Sequence, residues 1–132
     1  MSNDPGTRTR RAVGAMALAA ILSGMKARAL LERDVVAVDR YVFDTLMHDL
    51  IGHDRAPSAF VVYLYLWRHS LAAGNKTVRT SLREIAEGTG LSKRGVQEAL
   101  GVLSRRQLVG IAREGITDIP EYTVRRPWRR GG

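Results

Sequence analysis

Residues 80–103 read TSLREIAEGTGLSKRGVQEALGVL, and the fold follows from them. Ser81 and Glu84 have the spacing of a capping box, in which the hydroxyl takes an amide near the helix start and the carboxylate reaches back to the cap residue. The helix they open has one inward face, Leu82, Ile85 and Ala86, and Ala86 is small enough for a second helix to cross closely. Gly88-Thr89-Gly90 ends it: Gly90 can take positive φ, and Leu91 can plug the turn into a core. Ser92 caps the next helix. In that helix Val96, Ala99, Leu100 and Leu103 share an inward face, leaving Lys93, Arg94, Gln97 and Glu98 outside.

Upstream, Ser58 is placed to cap a strongly apolar helix carrying Phe60, Val61, Leu64, Tyr65, Trp67 and Leu71 as far as Ala73, with Gly74-Asn75 as its stop. Before it, Asp39 can cap a helix running to about Ile51 with Phe43, Leu46, Met47, Leu50 and Ile51 on its apolar side, and Gly52 ends it. Val35–Val38 is a short β-branched run. Residues 10–33 are rich in strong helix formers, interrupted by Gly14 and Gly24, and predict one helix or two short ones. Val13, Met16, Leu18, Ala20, Ile21 and Leu22 spread around more than half of that helix, which suits packing against a second copy of the chain. Residues 1–9 have no apolar period and are expected to be disordered. Met25 offers an alternative start.

The chain has 132 residues, 21 Lys and Arg against 13 Asp and Glu, and a formal charge of +8. Its length suits one core with tails. Residues 1–74 carry +2 and residues 75–132 carry +6, so the excess sits on the half that holds the two short helices. A polyanionic partner is implied. There is no cysteine, which excludes disulfides and thiolate metal sites and fits a reducing cytoplasm. The apolar run Ala12–Leu22 after Arg8, Arg10 and Arg11 looks like the opening of a signal peptide but is too short to span a bilayer, and export is not the expectation.

Other constellations have plainer readings. His48, Asp49, His53 and Asp54 suggest a metal site, but the two histidines do not share a helical face, so surface or capping roles are expected and neither metal nor cofactor. Asp44 and His48 suit local helix stabilisation. No phosphate-cradling glycine loop follows a strand and no Ser/His/Asp arrangement stands out, so no enzyme is expected. Tyr63 and Trp67, on one face of an apolar helix, are expected to pack in a core rather than stack on bases.

The order Ala86, Gly90, Val96, Leu100 resembles the helix-turn-helix of winged-helix regulators and replication-associated proteins. The resemblance extends over about residues 35–128. It implies a mainly α fold with a small β-wing, plus an additional N-terminal helix. Leu108–Arg113 and Tyr122–Arg126 would form the wing around a Gly115 turn, and Thr77–Thr80 a short strand before the second helix. Gly95 is a mild departure, costing about 1 kcal/mol of helix propensity relative to alanine. The domains expected are residues 1–34, a disordered leader with an accessory or dimerisation helix; 35–128, the winged helix; and 129–132, a basic tail.

By that resemblance the chain is a cytoplasmic, dimeric, sequence-specific double-stranded DNA-binding protein, chiefly a transcriptional regulator, and alternatively a replication-initiation or plasmid-maintenance protein. Helix 92–106 would read the major groove through Lys93, Arg94 and Gln97. Ser81, Ser92, Lys76, Arg79, Arg105 and Arg106 would meet phosphates. Arg113, Arg125, Arg126, Arg129 and Arg130 would reach the backbone or a narrow minor groove, with Trp128 alternatively anchoring the tail. Two rivals remain: a winged-helix adaptor whose partner is a protein, and a non-specific RNA or single-strand binder.

Overall fold

The computed structural model describes residues 34–129, and the chain divides into two compact units, residues 1–37 and 38–132. The expected N-terminal helix and Arg130 lie outside the described residues, and the elements that follow belong to the second unit. It is an α+β domain of helices with a small three-stranded antiparallel sheet.

The first helical stretch is π-wound over Val42–Leu46 and His48–His53. The sequence there carries two adjacent apolar rows, Val42/Leu46/Leu50 and Phe43/Met47/Ile51. The wider i→i+5 turn keeps the first row, spaced by four, on the inward face. Phe43, Met47 and Ile51 were expected inside and instead stay 47%, 36% and 40% exposed. Asp39 does not cap this helix: Val42 N–H bonds the Asp39 carbonyl, while the carboxylate points at the C-terminal segment. Nor does Gly52 stop it; the winding continues through His53, and Arg55, at φ 53°, turns the chain.

Helix α1 is Pro57–His69. Pro57, not Ser58, opens it: proline has no N–H to leave unpaired in a first turn and its φ is already helical. The helix ends before the expected Ala73 because Ser70, at φ −122° and ψ −85°, leaves the helical region. The Ser70 hydroxyl donates to the Leu66 carbonyl at 2.6 Å, a tight 3₁₀ turn spans Leu71–Ala73, and Gly74 closes it at φ 84°.

Strand β1, Thr77–Arg79, leads into α2, Leu82–Thr89, and α3, Lys93–Arg105. Both helix starts follow the local chemistry. Ser81 Oγ accepts from Glu84 N–H at 3.1 Å while Glu84 Oε1 accepts from Ser81 N–H at 3.2 Å, and Ser92 Oγ accepts from Gly95 N–H at 3.0 Å. Gly90, at φ 81°, returns its N–H to the Ala86 carbonyl. Gly88 lies hard against α1: a Cβ there would sit 2.3 Å from the Tyr65 ring. The end of α3 is a Schellman turn, with Leu108 N–H on the Leu103 carbonyl, Gln107 N–H on the Ser104 carbonyl, and Gln107 itself at φ 56°.

Strands β2, Val109–Ala112, and β3, Glu121–Val124, complete a sheet of order β1-β3-β2, with Val78 opposite Tyr122 and Val109 opposite Val124. Both wing strands are shorter than expected. On β3, Tyr122 and Val124 point into the core while Glu121 and Thr123 are half-buried, the alternation of a one-faced sheet. The core joins Val42 and Leu50, Tyr63 and Leu66 of α1, Ile85 of α2, Val96, Ala99 and Leu103 of α3, and Val109 and Tyr122 of the sheet.

A non-glycine residue in the left-handed region costs about 1–2 kcal/mol, partly offset by the larger chain entropy of an unfolded glycine. Gln107→Gly is therefore expected to stabilise the domain by about 0.5–1 kcal/mol, read as an upward shift of the urea midpoint. Gly88→Ala is expected to lower that midpoint, because the Tyr65 ring must leave its place between α1 and α2.

Candidate nucleic-acid interface

With Val96, Ala99 and Leu103 wholly buried, α3 presents its opposite side to solvent. At about 100° per residue that side carries Arg94, Gln97, Glu98, Gly101 and Arg105, with Lys93 and Ser104 at its edge. All of these but Gly101 are exposed. The first turn of α3 holds Lys93 and Arg94 and no acidic residue. Arg94 Nε lies 3.3 Å from Glu98 Oε1, but the two side chains are 89% and 67% exposed, so the pair holds Arg94 only weakly. Among the described residues, Lys76, Lys93, Arg105 and Arg113 form no salt bridge with a carboxylate.

The start of α2 is different in kind. The Ser81 hydroxyl also donates to Glu84 Oε1 at 3.1 Å, so a carboxylate already occupies the end of α2 where a phosphate was expected. Beside it, Arg83, which the sequence reading passed over, is exposed and paired with Glu87 at 3.0 Å. Arg79 faces Glu121 across the β1–β3 ladder, Nε to Oε2 at 3.1 Å, as their register places them.

A second group of the expected cations is engaged within the domain. Arg106 makes a two-pronged bond to Asp54, at 2.7 and 2.6 Å. Arg126 lies 5.8 Å from the centre of the Trp67 ring. Arg125 is held only through its backbone, its N–H on the Leu108 carbonyl and its carbonyl accepting the buried Tyr63 hydroxyl at 2.8 Å, while among the described residues its guanidinium forms no salt bridge. Trp128 stacks on Tyr41 with ring centres 4.6 Å apart and donates its Nε1–H to Asp39 at 2.9 Å, and Arg129 closes two bonds on the same carboxylate. Trp128 thus anchors the segment, and Arg129, expected in the basic tail, is bonded to Asp39. These residues stand apart from Lys93 and Arg94, which open the other end of α3.

The β2–β3 loop carries Arg113 with Glu114 and Asp118, around an open hollow that Arg79 and Glu121 also line. Ile116 at its tip is 93% exposed. Among the described residues there is no cluster of three or more potential metal ligands and no helix long and apolar enough to cross a membrane. Comparison with family models, curated proteins and solved structures gives no match.

Two carboxylates show how firmly these contacts hold. Burial raises the pKa of Asp39, and the bonds from Arg129 and Trp128 more than offset it, leaving a net lowering. The bonds from Arg106 and then from His53 bring Asp54 from 3.8 down to about 2. A carboxyl with a depressed native pKa adds stability that is present above its unfolded pKa and lost as pH falls through the native value. For Asp54 that window runs from about pH 4 down to about 2. Urea unfolding across it should show Asp54→Asn less stable than wild type by about 1 kcal/mol at pH 5, with the gap closing at the acid end, since the pair is open to solvent.

Proposed function

We propose that this chain is a sequence-specific double-stranded DNA-binding protein of winged helix-turn-helix type, acting in the cytoplasm as a transcriptional regulator, with α3 in the major groove. The observation that carries this reading is the first turn of α3. A helix N-terminus already bears partial positive charge, so Lys93 and Arg94 there work against the helix by a few tenths of a kcal/mol each. Such a placement has value toward an external polyanion, and two exposed cations beside free helix amides suit phosphate oxygens.

Further along the same face, Arg94 has the donor fork for guanine and Gln97 the donor and acceptor for adenine. Leaving Glu98 costs Arg94 little. Lys76 and Arg105 supply phosphate contacts from the flanks. Arg106, Arg126 and Arg129 are each engaged by a neighbour inside the domain, and this reading assigns them no DNA contact. The β2–β3 loop contributes less than a basic wing would, since Arg113 shares it with two carboxylates, Glu114 and Asp118.

A twofold pair of chains would double the readout of so short a helix. The exposed row Phe43, Met47 and Ile51 suits such a pairing, and the same row favours the second reading, an adaptor that binds a protein partner.

Duplex binding measured across a salt series separates these readings. Wild type is expected to bind with a steep slope. Lys76→Ala should weaken all sequences alike and lower the slope by about one, whereas Arg94→Ala should cost about 1–3 kcal/mol of discrimination between a selected and a random duplex. Absence of duplex binding at low salt would put the adaptor in its place.

A further inference from the structure

A glycine inside an α-helix weakens it, so it calls for a reason. Two of the three glycines in α2 and α3 have one within the domain. A Cβ on Gly88 would meet the Tyr65 ring at 2.3 Å, and one on Gly95 would crowd the capping Ser92 hydroxyl at 3.2 Å. Gly101 has none. Its φ is not positive, and a Cβ there would meet a single described atom within 4 Å, Arg105 Nη1 at 3.6 Å, an ordinary contact with the free end of a flexible side chain.

Gly101 also stands at the centre of the outward face of α3, one turn beyond Gln97 and Glu98 and one turn before Arg105. The missing side chain leaves a gap between flanking polar groups where another molecule can come close to the helix backbone. Among the described residues the gap serves no packing purpose, and it lies on the surface to which DNA was assigned.

We propose that Gly101 is a positioning residue for DNA recognition: the point at which the α3 backbone seats against the duplex, setting the depth to which Arg94 and Gln97 reach. This rests on the DNA-binding reading above. A side chain at 101 would hold the helix outward, so contacts to base edges, which need depth, are lost before contacts to phosphates, which do not.

The test uses the full chain, Gly101→Ala and Gly101→Leu, with thermal unfolding and binding to two probes: a duplex selected from a random pool by wild type, and an unselected duplex. Both variants should melt at a higher temperature than wild type, as alanine and leucine are strong helix formers. Gly101→Leu should bind the selected duplex at least about tenfold more weakly, the equivalent of losing one base-edge contact. Its binding to the unselected duplex at low salt should stay within about threefold, since the phosphate contacts survive. Gly101→Ala should fall between. If wild type selects a duplex and Gly101→Leu selects it equally well, the positioning role is wrong and the DNA-binding reading stands. If wild type binds no duplex at low salt, both are wrong.

Discussion

The Tyr63 hydroxyl, wholly buried, gives its hydrogen bond to the Arg125 carbonyl across 62 residues of sequence, and much of the domain is arranged around that bond. A buried phenol without an acceptor would cost more than its bond returns, so the residue that follows β3 must bring its carbonyl to α1. That fixes Arg125, and with it the direction in which the chain leaves the sheet. Trp128 then falls against the edge of the Tyr63 ring and the face of Tyr41, and Arg129 arrives at Asp39. Burial pushes the Tyr63 pKa far up, which keeps the donor protonated throughout. The sheet and α3 both pack against this helix.

What could be read in advance was chemistry that closes within a few residues. The Ser81–Glu84 box, the Ser92 cap and the Gly90 turn each depend on side chains three or four positions from the groups they satisfy, so their residue types announce them. The inward row Val96, Ala99, Leu100, Leu103 was equally plain, because helical spacing leaves it one common face. The strand at Thr77–Arg79 came only through resemblance, and its register, Val78 opposite Tyr122, was not legible at all. The first helix misled because two apolar rows, each spaced by four, lie side by side, and the winding chooses between them. No local signal selects a π turn over an α turn there. The bonds of Asp54 to Arg106 and of Asp39 to Arg129 span 52 and 90 residues, beyond any short-range pattern.

The net charge was therefore a blunter guide than it looked. Charge summed along a sequence treats every arginine alike, whereas the folded domain sorts them by partner. Arg79, Arg106 and Arg129 serve as struts with a carboxylate each, and Arg126 lies over an indole ring. Lys93 and Arg94 owe less to their neighbours. Pairing with a carboxylate leaves the net charge as it was, but it decides which cations stay open to a polyanion.

The Asp39 contact joins almost the first residue of the described domain to almost its last. A chain made from its N-terminus must therefore wait. As residue 39 emerges its carboxylate has no partner, and about ninety further residues are added before Arg129 can reach it. At about 5–20 residues per second that interval is many seconds, long compared with helix and hairpin formation. Throughout it Tyr41 lacks its stacking partner and the Tyr63 hydroxyl its acceptor. The native domain is sealed late, by its final five described residues, so a ribosome that stops short of Trp128 releases a chain with its aromatic seam still open.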